Sequence, residues 1–183
     1  AVAAAPSGID LGAPTVGQLP ERLRTESGTI ACNVPDFMAA LAALPLPEPV
    51  ADGALRPLRL IGRRHLRSNN SWMANSRRLM KGPERCKVMI ILSDAEARAI
   101  ADGATVRVRS ATGAIDLPAE VTEDVMPGVV AIPHGWGHGQ PGVAMAQALG
   151  RPGVSVNDIT LNTVDPLSGT AALSGVEVEL EAV

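Results

Sequence analysis

The thirteen residues Arg63-Arg64-His65-Leu66-Arg67-Ser68-Asn69-Asn70-Ser71-Trp72-Met73-Ala74-Asn75 are the part of this 183-residue sequence richest in potential chemistry. Three guanidiniums, one imidazole, two hydroxyls, three carboxamides and an indole gather there without a single carboxylate. That mixture suits an anionic, heteroaromatic ligand. Arg63, Arg64 or Arg67 can fork onto a phosphate, and the amides of Asn69, Asn70 and Asn75 can match the donor and acceptor edges of a heterocycle. His65, Ser68 and Ser71 add polar contacts, and Trp72 offers a stacking face. The set reads as a nucleotide-type binding site rather than an acid–base one. A polar surface loop anchored by Trp72 would use the same residues, so on this segment alone both readings stay open.

Two later clusters bear on the choice. Pro133-His134-Gly135-Trp136-Gly137-His138 places glycines where a ligand can approach backbone closely. Its histidines, four apart, raise the question of a metal. Gly135 and Gly137 break the helix that would put His134 and His138 on one face, and no cysteine is near, so no metal site is expected. From Ser155 onward, Asn157, Asp158, Thr160 and Asn162 alternate with Ile159, Leu161 and Val164. Turn formation alone would explain Asn157-Asp158 and the later Asp165-Pro166-Leu167-Ser168-Gly169. No nucleophile elbow or Walker loop is present, and no carboxylate pair has an acid–base arrangement. A self-sufficient catalytic set is therefore not expected.

Charge is unevenly distributed. Ten of the 16 basic residues lie between Arg56 and Lys87, against one acid, Glu84, whereas beyond Arg109 nine acids face only Arg151. On composition alone, a solvated and salt-bridged face is the expectation, with a local anionic partner as the alternative. No run of 18 apolar residues and no charged leader are visible, so neither a membrane span nor a secretory signal is expected. Cys32 and Cys86 form no CxxC motif, which argues for reduced thiols and a cytoplasmic location. The first residue is Ala, not Met, so the sequence reads as part of a longer polypeptide whose upstream targeting signal would not be seen.

These loops need a scaffold. Residues 1–55, rich in Ala, Pro and Gly, read as an extended connector with one helix, Asp36 to Leu44, ended by Pro45, Pro47 and Pro49. From Leu58 the pattern changes to short strands. Leu58–Ile61 and Val88–Leu92 are continuous and branched, Thr105–Arg109 and Ala114–Val121 alternate around Ala111-Thr112-Gly113, Val129–Ile132 follows Met126-Pro127-Gly128, and Val176, Val178 and Leu180 alternate with glutamates. Ser93-Asp94-Ala95-Glu96 reads as a capping box opening a short helix that Asp102-Gly103 stops. Six strands suffice for a small barrel. With only Trp72, Trp136 and Phe37 as aromatics, the core must be aliphatic. Arg63–Pro83 and His134–Gly175 fit no regular element and read as functional loops, since both tryptophans lie in them.

Taken in order, these segments resemble the C-terminal molybdopterin dinucleotide-binding domain of the dimethyl sulfoxide reductase and formate dehydrogenase superfamily. The likeness runs from Ser27-Gly28-Thr29-Ile30, through residues 58–75 and 91–138, to Val156-Asn157-Asp158-Ile159-Thr160 and residues 165–180. It implies a mainly β fold, a six-stranded double-psi β-barrel with short helices spanning residues 56–183, and it implies binding of molybdopterin guanine dinucleotide. By position, His65, Ser68, Asn69, Asn70, Ser71 and Trp72 then run beside the cofactor, with Gly135, Trp136 and His138 in the same wall and Asn157 on the pterin. In such enzymes two dinucleotides hold molybdenum or tungsten. The protein ligand to the metal, any iron–sulfur cluster, the large upstream domains and an electron-transfer partner belong to other sequence, so this part alone is not expected to turn over. The wording of residues 68–75 is nearest to the formate-dehydrogenase-like branch. The alternative is a non-catalytic double-psi barrel adaptor, or a nucleic-acid-binding module using residues 56–87, against which the scarcity of aromatics argues.

Overall fold

The computed structural model describes residues 2–45 and 55–183. Contacts divide the chain at 47/48 into two units. The first holds a 3-10 turn, Val2–Ala4, and two short helices, α1 (Leu19–Arg22) and α2 (Pro35–Ala42). Pro35 sits in the first turn of α2, where its missing N–H leaves no bond unmade. Neither helix buries a residue, and Phe37, Met38 and Leu41 of α2 are exposed. Pro47 and Pro49, expected to end this helix, lie outside the described residues.

The second unit is mainly β. Its strands are β1 (Leu58–Arg63), β2 (Val88–Ile90), β3 (Thr105–Arg109), β4 (Ala114–Val121), β5 (Val129–Pro133) and β6 (Val176–Ala182). They close a six-stranded barrel in the order β1-β5-β2-β4-β3-β6. Alternation explains the closure: in β3, β4 and β6 every second residue points inward, and Val106, Val108, Leu117, Val176 and Val178 are essentially sealed from solvent. Together with Leu58, Leu60, Val88, Ile90, Val130 and Ile132 they make a wholly aliphatic core. Ion pairs run along the wet face, Arg59 to Glu177 at 3.2 Å, Arg107 to Asp116 at 2.7 Å and Arg109 to Glu181 at 3.8 Å.

Three local expectations need correction. Val88–Leu92 is not one strand, because Leu92 already begins helix α3 (Leu92–Glu96). Ser93 does not cap this helix: the cap position is Ile91, and no side chain bonds there. Asp94 turns instead to the β4–β5 turn, where its carboxylate accepts a 2.6 Å bond from the Gly128 N–H while lying 3.9 Å from Arg98. Nor does Asp102-Gly103 stop the helix. Ala99, with φ 53°, does so in a Schellman arrangement, Ile100 N–H to the Ala95 carbonyl and Ala99 N–H to the Glu96 carbonyl. Asp102 accepts from Val121 N–H and Gly103 donates to the Ala119 carbonyl, so that turn is tied to β4.

The topology decides where the loops emerge. Strands β1 and β5 are parallel neighbours, with Arg63 beside Pro133, so the chains leaving them start side by side at one end of the barrel. β6 runs antiparallel to β1, with Val176 beside Leu60 and the Gly175 N–H donating to the Leu60 carbonyl. The segment 134–175 therefore departs from and returns to that same end. Within it lie α4 (Ala146–Leu149) and a 3-10 turn, Val156–Ile159, whose Val156 and Ile159 join the barrel core.

Candidate functional site

At that end the three polar segments meet around one cavity of about 440 Å³, walled by Arg64, Asn70 and Ser71 from the first, His134 to Trp136 and His138 from the second, and Ser155 to Asn157 from the third. Glycines hold the segments together. At Gly135, φ 97°, an added Cβ would overlap the Asn70 carbonyl, and at Gly137, φ 100°, it would come within 2.7 Å of the Ser155 Cβ. Each glycine thus lets the second loop press its backbone onto one of the other two. His134 lies across Gly62 of β1, where a side chain would displace the imidazole.

A second hollow of about 570 Å³ lies against the first loop, lined by Arg64, His65, Leu66, Asn69, Asn70, Met73 and Leu79. Arg64 and Asn70 border both spaces, and the Arg64 guanidinium donates to the Asn70 side-chain oxygen. Asn69 and Asn70 both adopt left-handed backbone, φ 44° and 58°, which asparagine tolerates better than most residues. Part of the reason for asparagine here is therefore the turn itself.

Beneath the loops lies a small second core of Trp136, Met80 and Cys86, packed by Val154. Trp136 is only 6% exposed, and its indole N–H finds no partner among the described residues. His65 meets its edge in a T-shaped contact, ring centroids 6.1 Å apart. Burial, then Arg85, Arg63 and Arg67, lowers the His65 pKa, and burial with Arg64 lowers that of His134. Both rings are thus neutral near pH 7. The Nε2 of His138 lies 2.9 Å from the Gly135 carbonyl, which makes that nitrogen the donor. Burial raises the pKa of the Cys86 thiol, whose sulfur lies 3.7 Å from the Val154 carbonyl as donor and accepts from the Val154 N–H.

Other sequence-predicted residues do not reach the cavity. Ser68 is 1% exposed and its hydroxyl donates to the His65 carbonyl, closing the turn. Trp72 is 83% exposed and lines neither space. Asn75 accepts from the Gln147 and Ala148 N–H groups, fastening the first loop to α4. Arg67 bonds the Lys81 carbonyl, and the buried Nε of Arg63 has no partner among the described residues. Asp158 faces the β3–β4 hairpin, its carbonyl against Gly113. Sequence reasoning missed Ser155, Val156 and Leu173 in the cavity wall. Ser155 stood in a recognised polar run, whereas nothing marked Leu173. Gly137-His138-Gly139-Gln140-Pro141-Gly142 has dinucleotide-fingerprint glycine spacing, but it opens no helix.

The salt-bridged face expected of residues 56–87 is not what forms. Of its ten cations only Arg59 has a carboxylate within 4 Å among the described residues. The guanidiniums without a carboxylate partner among the described residues, the carboxamides, the neutral imidazoles and the glycine cradle fit a polyanionic, heterocyclic cofactor better than a reaction run by side chains alone.

Comparison with known proteins bears on the family and the fold. Over 165 residues the chain is 28% identical to "Probable oxidoreductase YoaE" of Bacillus subtilis (strain 168), covering 90% of this chain and 23% of that protein. The chain thus spans about a quarter of that relative's length. "Acetylene Hydratase from Pelobacter acetylenicus" superposes with a TM-score of 0.53 at 18% identity, over 69% of this chain and 18% of that one, a likeness of fold. No helix among the described residues is long and apolar enough to cross a membrane. The family model described as "Molydopterin dinucleotide binding domain" matches residues 58–177, from the first inward residue of β1 into β6, and the chain belongs to that family.

Proposed function

We propose that the chain is the cofactor-gripping domain of a molybdopterin-dependent oxidoreductase of the formate-dehydrogenase-like branch, and that it binds the guanine dinucleotide form. The observation that carries this reading is the single cavity on which all three polar loops converge. Asn70, Asn157, Ser71 and Ser155 would meet the donor and acceptor edges of the pterin, with Arg64 oriented by Asn70, and His134 and His138 would add neutral and donating nitrogens. When bound, the group supplies a molybdenum or tungsten centre in its bis form for redox chemistry, while the protein contributes position and a fixed electrostatic surround. In this reading residues 1–55 connect the barrel to large upstream domains of the same polypeptide, which carry the metal's protein ligand, any iron–sulfur cluster and contacts to an electron-transfer subunit. A cytoplasmic location goes with reduced thiols.

The test is metal and pterin content. In the protein purified from its own host, Asn70→Ala with Asn157→Ala should lower both, each lost hydrogen bond weakening binding by about 1 kcal/mol, roughly fivefold. Unchanged molybdenum, tungsten and pterin in that double variant would overturn the site. Trp72, exposed in a loop with Arg64 and Arg67, favours the second reading, a nucleic-acid module. That reading requires metal-free protein whose binding to single strands weakens steeply with salt.

A further inference from the structure

Away from the cofactor cavity, five cations crowd around a three-residue stretch of backbone. The Lys81 carbonyl accepts from both Arg67 and Arg85, and Nη1 of Arg151 donates to the Met80 carbonyl at 2.9 Å and the Gly82 carbonyl at 2.7 Å. Three guanidiniums are thereby clamped to neutral acceptors. Arg77 and Lys81 side chains complete the group and make no hydrogen bond or ion pair among the described residues. Arg77, Lys81 and Arg151 line a cleft of about 360 Å³ with Met80, Gln147 and Gly150, and none of its lining residues borders either space of the cofactor site.

Among the described residues no carboxylate comes within 4 Å of these five cations. Glu84 is the acid beside them, and its Oε1 accepts from the Arg85 and Cys86 N–H groups instead of reaching a guanidinium within 4 Å. Repulsion is felt inside the group: burial first, then Arg67 and Arg151, lowers the pKa of Arg85, with Glu84 opposing. Arg85 and Arg151 are half-buried, so water screens them incompletely. Holding like charges together at a partly screened surface is unfavourable, and a bound anion offsets that cost. Guanidiniums fixed by carbonyls on one side keep their remaining N–H groups available on the other, and bidentate donors with an ammonium beside them match a tetrahedral oxyanion.

We propose that this cleft is a phosphoryl-binding site, formed by Arg77, Lys81 and Arg151 and supported by Arg67 and Arg85, sized for a diphosphate. The inference does not rest on the assignment of the pterin cavity. The ligand is a free phosphate compound, since the cleft shares no lining residue with the cofactor cavity, and one titration separates it from the phosphates of the dinucleotide. Inorganic pyrophosphate is titrated calorimetrically at low salt into the protein with its cofactor and into the protein stripped of it, alongside Arg77→Gln and Lys81→Gln. Both positions are exposed and bond nothing in the described structure, so the variants should fold, and thermal melting checks this. Saturable binding to stripped protein is expected, about tenfold weaker in each variant, which is the loss of one charge-assisted bond. Binding that persists in loaded protein supports a free ligand, and binding that disappears there overturns the proposal, because the cleft then holds the dinucleotide's own phosphates. Absence of saturable binding below about 10 mM, or equal affinity in wild type and both variants, overturns the proposal. If the protein proves free of pterin and metal yet binds pyrophosphate with this variant pattern, the cleft stands while the oxidoreductase reading falls.

Discussion

Single residues decide whether the loops can meet. Gly135 combines a positive φ with a Cβ direction that runs into the Asn70 carbonyl, whereas Gly128, φ 80°, has open space where a side chain would go. Gly128→Ala should therefore lose only the left-handed strain, about 1–2 kcal/mol. Gly135→Ala adds a backbone collision that only a shift of the first or second loop relieves. It should lower the melting temperature further and sharply reduce pterin content, and equal melting temperatures for the two variants would refute the account. The same scale limits what could be read in advance. The types of Arg64, Asn70, His134 and Asn157 pointed to a polar ligand site, and the four line one cavity. Arg67 and Asn75 share those residue types, yet they hold backbone together. Residue type states what a side chain is able to bond, and only the fold decides which partner is nearest.

Elements were more legible than their ends. All six strands appear where alternation or branched runs marked them, because inward residues of a closed sheet must be apolar every second position. The boundary of β2 and the start of α3 were misread since a three-residue strand runs straight into a helix, and Ile91 and Leu92 satisfy either pattern. Asp94 shows why a capping motif misled: the carboxylate serves the Gly128 N–H, thirty-four positions away, which no local rule anticipates. Asp94→Ala should leave that half-buried donor without its acceptor, remove the carboxylate 3.9 Å from Arg98, and cost about 1–3 kcal/mol in urea unfolding. Ser93→Ala, the change that would matter if the capping box were real, should cost far less.

Charge and protonation belong to the whole molecule. The only three histidines of the chain lie in the loops at one end of the barrel, amid most of its unpaired arginines. Because His65 and His134 are held below the ordinary imidazole value of about 6.5, the unfolded chain takes up their protons first. Stability is then complete above that value and falls as pH drops through it towards the lowered folded pKa values. Urea titrations should give a lower unfolding free energy at pH 5.5 than at 7.5, a range above the ordinary titration of carboxylates, and His65→Gln should flatten part of the difference. A profile level across this range would contradict the burial of the two rings. Bound anion should also shift the fall to lower stability losses, since it offsets the arginines that disfavour imidazolium.

The closing strand has a temporal consequence. β6 closes the ring between β1 and β3, and its partners Leu58 and Val106 stand 120 and 76 positions before Val178 and Ala182. Until those late residues arrive, the earlier strands form an open ribbon with two bare edges, and the cavity has no fixed rim. Assembly should consequently be slow and all-or-none, dominated by distant pairings. Loading of the cofactor would then follow synthesis of the entire cylinder, which leaves nascent chains empty until their last strand is in place.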